Sequence, residues 1–77
     1  MTASVIFQGS NFFGVEIGQK QYFFSYDTCV AFADLKERIF IRRLSNFSKT
    51  TAKHLRLMGV LDWMRVTDFE FDLHLSR

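Results

Sequence analysis

The sequence predicts an α+β domain: an antiparallel β-meander of four to five strands, followed by one or two short helices packed on the sheet. Three observations predict it. Apolar residues alternate with polar ones through the first half of the chain, in short runs separated by turn-forming residues. After Leu44 the apolar period lengthens, and helix-start and helix-stop residues appear in order. The 77 residues, 48% of them hydrophobic with ten Phe and no Pro, have room for one core, so residues 1–77 form one small domain. Low-complexity disorder and collagen-like repeats are excluded, since both need chains poor in large apolar side chains.

Each strand follows from its own run. Ser4–Phe7 is rich in β-formers and leads into the turn-forming Gln8-Gly9-Ser10-Asn11. Phe12–Ile17 alternates, with Phe13, Val15 and Ile17 on one side and Phe12, Gly14 and Glu16 on the other. Gly18-Gln19-Lys20 reverses the chain with a glycine free to take positive φ. Gln21–Tyr26 groups Tyr22, Phe24 and Tyr26, and Thr28–Ala33 alternates Thr28, Val30 and Phe32 with Cys29, Ala31 and Ala33. After the turn Asp34–Glu37, Arg38–Arg43 points Ile39 and Ile41 inward and Arg38, Phe40 and Arg42 outward. On this reading Phe12, Phe23 and Phe40 lie opposite the apparent core.

Two segments carry helix signals. Ser48 is a good N-cap, Phe47 and Ala52 occupy the staple positions around it, and Gly59 stands where a helix stop places glycine. Between them, Thr51, Leu55 and Met58 share one face while Lys49, Lys53 and Arg56 form a basic stripe on another. Val60 is then positioned to meet Leu55 across the helix end. In the last segment Phe69, Phe71, Leu73 and Leu75 alternate as a strand would, but Thr67-Asp68-Phe69-Glu70 is a capping box flanked by Val66 and Phe71 as a staple. Those two start signals, with acids in the first turn where the helix dipole favours them, tip residues 67–75 toward helix.

The net charge of +2 is unevenly spread. Lys36–Arg56 holds seven basic residues and one acidic, a balance of +6, between flanks of −2 (residues 1–35) and −3 (Asp62–Leu75). Such asymmetry steers an anionic partner to one surface. The strand Arg38-Ile39-Phe40-Ile41-Arg42-Arg43 joins cations to an aromatic, a pairing that serves phosphates and bases together. The helix start adds Lys49, Thr50, Lys53, His54 and Arg56, with backbone N–H groups suited to an anion. The candidate binding residues, for a protein partner or nucleic acid, are therefore Arg38, Phe40, Arg42, Arg43, Lys49, Thr50, Lys53, His54 and Arg56.

Catalytic patterns are lacking. Cys29 reads as a buried structural thiol, His54 and His74 have no zinc spacing with it, and no phosphate-binding glycine loop occurs. Glu70 and Asp72 read as a solvated surface pair rather than an acid–base pair. The expectation is a protein that is not an enzyme and takes no metal or cofactor. A single cysteine points to a reducing, cytoplasmic compartment, and no apolar run approaches the roughly 18 residues that cross a bilayer.

Three stretches, Phe24-Ser25-Tyr26-Asp27-Thr28-Cys29-Val30-Ala31-Phe32, then Ile41-Arg42-Arg43, then Ser48-Lys49-Thr50-Thr51-Ala52-Lys53-His54-Leu55, carry a resemblance over roughly residues 22–56. They resemble a group of small bacteriophage and mobile-element proteins in which a strand S-Y-x-T-x-V-A-F precedes a basic strand and a helix opening S-x-T-T-G-K-H-L-N. Ala52 and Arg56 depart from that pattern, at its Gly and its Asn. The resemblance implies a phage or mobile-element origin and action in the host cytoplasm. The function expected is a non-enzymatic protein–protein interaction, for example inhibition of a host or anti-phage defence protein such as a CRISPR component. The alternative is a nucleic-acid-binding module over residues 38–56, and self-association through an edge strand or the Phe-rich face is compatible with both.

Overall fold

The computed structural model describes residues 2–44 and 47–76. Among them lie β1 (Ala3–Gly9), β2 (Phe12–Ile17), β3 (Lys20–Ser25), β4 (Thr28–Asp34), β5 (Ile39–Arg43), α1 (Lys49–Leu57), β6 (Met64–Val66) and α2 (Asp68–Leu75). The α+β class holds, with a sheet of six strands in the order β1-β2-β3-β4-β5-β6 rather than four or five. The first five pair antiparallel as a meander; β6, reached through α1, pairs parallel with β5.

The helices lie on opposite faces of this sheet. On the α1 side Phe23, Val30, Ala31, Ala33, Leu55 and Val60 form one core, with Phe7, Phe47, Met58, Leu61 and Trp63 packed against it. On the α2 side Cys29, Phe32, Ile41, Val66 and Phe71 form a second, joined by Tyr22, Phe24, Ile39 and Leu75. A two-sided sheet changes the reading of the three Phe residues set opposite the core. Phe23 is itself core at 5% exposed, Phe12 is half-buried, and only Phe40, at 41%, is open.

β4 is buried on both faces, and a bulge makes that possible. The β3–β4 register passes from Phe23↔Ala31 to Phe24↔Cys29, so Val30 is an extra residue. Val30 and Ala31 both join the α1-side core while Cys29 joins the other. In β1 the register skips Ile6 in the same way and brings Phe7 opposite Gly14. The Phe7 ring lies over that glycine and 5.7 Å from the Phe23 ring. A side chain on Gly14 would meet it: a Cβ there stands 2.5 Å from Phe7 Cε2.

β1, β3 and β4 run one or two residues beyond the alternation pattern, to Ala3 and Gly9, to Lys20 and to Asp34, while β3 at its end and β5 at its start each fall one residue short of it, both at left-handed residues. Tyr26 (φ 57) leaves β3 after Ser25 and turns the chain into β4. Arg38 (φ 57) belongs to the turn and not to β5, because the Asp34 carboxylate accepts from the Lys36 and Glu37 amides and closes the reversal before it. Both helix starts are as the capping residues indicate. Ser48 Oγ accepts from Thr51 N and Thr67 Oγ1 accepts from Glu70 N. The staple residues Val66 and Phe71 are both buried in the α2-side core. At the end of α1, Gly59 (φ 76) turns left-handed and the Val60 amide donates to Leu55 O at 3.0 Å.

Candidate functional site

The nine candidate residues do not form one surface; the fold sends them to five places. Arg43 goes to the α2 side. Its Nε donates to Cys29 O at 2.7 Å, its two terminal nitrogens lie 2.9 Å from Asp72 and 3.5 Å from Asp68, and its guanidinium sits 4.4 Å from the Phe71 ring centre. It ties α2 to the sheet and has little left to offer a partner. Burial pushes the neighbouring Cys29 thiol up to about 11, so it is protonated at neutral pH.

His54 goes inward on the α1 side. Its Nδ1 lies 2.7 Å from Ser25 Oγ, which is 3.1 Å from Thr51 Oγ1, and its ring lies between Phe12 and Tyr26 at 5.0 and 5.5 Å. A serine hydroxyl against an imidazole is the first half of a nucleophilic arrangement. Here Ser25 is 2% and His54 5% exposed, and the third member is a threonine hydroxyl rather than a carboxylate. The arrangement clamps α1 onto the end of β3.

Lys49, Thr50, Lys53 and Arg56 are exposed on the side of α1 turned away from the sheet, and Arg38 is exposed in its turn. Ser48 is occupied as a cap, which accounts for the hydroxyl at the helix start.

Phe40 and Arg42 stay together on the α1 side, where the parallel register adds two residues that sequence reasoning missed. Arg65 is the partner of Arg42 across β5 and β6, and Trp63 stands edge-on to Phe40 at 5.3 Å. Arg42 Nε donates to Leu61 O at 2.8 Å and Nη1 to Arg43 O at 3.0 Å. Burial, and then the charge of Arg65, lower the Arg42 pKa, with Asp62 opposing them.

A second surface was not singled out by the charge pattern. On the α2 side, Val5, Val15 and Tyr22 pair across β1, β2 and β3 and lead to the buried Phe32; Phe13 pairs with Phe24, its ring stacked at 4.7 Å. The core under α2 lies toward β4, β5 and β6, and the β1–β2 end of this face is open. Val5 is 62% exposed and Ile17 36%, with Phe13 and Val15 half-buried. β1 is an edge strand, and from Ala3 to Gly9 it carries neither a charge nor a proline. Natural edges are usually blunted by such residues.

Among the described residues no helix is long and apolar enough to cross a membrane. No curated protein and no solved structure matches the chain. Residues 2–62, most of its length and every strand but β6, match a family of unknown function (DUF8033), and the chain belongs to that family.

Proposed function

We propose that the protein is a non-enzymatic binding module that docks a partner protein against β1 and the open end of the α2-side face. One observation carries this reading: an uncharged edge strand, paired with β2 on one side only, borders an apolar sheet face on which Val5 and Ile17 are exposed. An edge strand offers a partner main-chain hydrogen bonds, and a contiguous apolar face offers it area. The resemblance to bacteriophage and mobile-element proteins supports a host or defence protein as that partner, bound so as to inhibit it.

The test compares capture from host lysate at physiological salt by the native chain and by Val5→Lys and Ile17→Lys. Both substitutions are at exposed positions and leave the cores intact. The reading expects a specific protein held by the native chain and lost from both variants. Equal capture by all three overturns it. Light scattering at two concentrations separates a second copy on β1 from a foreign partner.

A further inference from the structure

We infer that the α1-side surface around β5 and β6 binds single-stranded nucleic acid, with Arg42 and Arg65 on its phosphates and a base against Phe40 beside Trp63. This surface lies on the other side of the sheet from the docking face and does not depend on it.

Four observations converge there. The parallel register sets Arg42 directly beside Arg65, and like charges opposite one another weaken a strand pair unless an anion lies between them. Arg42 cannot swing away, because Leu61 O and Arg43 O hold two of its nitrogens, leaving Nη2 as the donor without a described partner. Arg42, Leu61, Asp62, Trp63 and Arg65 line a cavity of about 320 Å³, in which Asp62 is the only carboxylate among the described residues. Phe40, 41% exposed, stands against Trp63 on the same face, two residues from Arg42. Fixed cations beside an accessible aromatic are what single strands use, phosphate charge and base stacking together. A phosphopeptide would use the cations but gives the aromatic pair no role. A duplex requires a wider basic surface, and the Lys49, Lys53 and Arg56 stripe faces away from the sheet.

The chain's one Trp is Trp63, so its fluorescence reports on this site. The full chain is titrated with an oligothymidylate of about ten nucleotides, long enough for one single-strand site, and with inorganic polyphosphate of matched charge. The oligonucleotide should quench Trp63, and log affinity should fall against log salt with a slope of about −1.4 for two phosphate contacts on a single strand. Arg65→Ala, at an exposed position, should halve that slope and weaken binding about tenfold, the loss of one charge-assisted contact. Phe40→Ala should weaken the oligonucleotide with the slope unchanged, and Asp62→Asn should tighten it. Absence of quenching at low salt overturns the inference, as does a slope that Arg65→Ala leaves unaltered. Polyphosphate binding as tightly as the oligonucleotide overturns it too, since bases would then play no part.

Discussion

Arg43→Ala tests whether this cation, placed among the surface residues by its charge, is a structural tie. Its contacts can be summed. The charged donor to Cys29 O at 2.7 Å contributes about 1.5–3 kcal/mol. The two ion pairs reach carboxylates whose side chains are 55% and 62% exposed, and solvent holds them to about 0.2–1 kcal/mol each. The guanidinium over the Phe71 ring at 4.4 Å adds about 0.5–1 kcal/mol. Non-additivity trims the total to about 3 kcal/mol, which in a domain this small lowers the melting temperature by roughly 12–24 °C. Urea denaturation by circular dichroism measures the loss, with Asp72→Ala and Arg65→Ala as comparisons. Asp72→Ala should cost less than about 1 kcal/mol, and Arg65→Ala, exposed, should stay within about 0.5 kcal/mol of the native chain. A loss below about 1 kcal/mol for Arg43→Ala refutes the reasoning and returns Arg43 to the pool of residues available to a partner.

Three further outcomes follow from the same contacts. Gly14→Ala drives a Cβ to 2.5 Å from the Phe7 ring and should destabilise the chain by about 1–3 kcal/mol in chemical denaturation, whereas Phe7→Ala with Gly14→Ala should show much of that strain already relieved. Burial raises the Cys29 thiol from 9.0 to about 11, so the folded state holds this proton more tightly than the unfolded chain. Its contribution is complete below pH 9 and lost as pH climbs toward 11, about 2–3 kcal/mol, a slope that thermal melts should find missing in Cys29→Ala. Thr67→Ala removes the acceptor for Glu70 N and should cost about 1 kcal/mol, with helical circular dichroism reporting the fraying of α2.

Local patterns made most of the fold legible. Alternation located the five meander strands, and the caps Ser48 and Thr67 located both helix starts, because hairpins and caps are decided within a few residues of chain. β6 was hidden for the opposite reason: Met64–Val66 is three residues long and pairs parallel with β5 only after α1 has crossed between them. That pairing is also what brings Trp63 and Arg65 to Phe40 and Arg42, so half of the basic and aromatic site had no local signal. His54 reads as surface because it is polar and neighbours the basic stripe. Its inward partner, Ser25, is 29 residues away. Arg43 reads as surface by its charge alone: it alternates with Ile39 and Ile41, and that face is the one α2 covers, while Arg42 alternates with Phe40 on the α1 side.

The ten Phe and the open surface have a common geometric cause. Six strands make five spacings of about 4.8 Å, a sheet roughly 24 Å across, while a helix about 10 Å in diameter covers two or three strands. With one short helix on each face, about half of each face has to be covered by something else. On the α1 side aromatic rings do it: Phe7 lies across Gly14 against Phe23, Phe12 closes over His54, and Phe40 leans on Trp63. The α2 side has the Phe13–Phe24 stack and Tyr22 against Phe32, and among the described residues Val5 and Ile17 stay exposed. Placing a third helix or a longer loop there would close the face. Among the described residues that face stays open beside the uncharged edge strand, and the coincidence of open face and open edge makes β1 the place to test for the proposed partner.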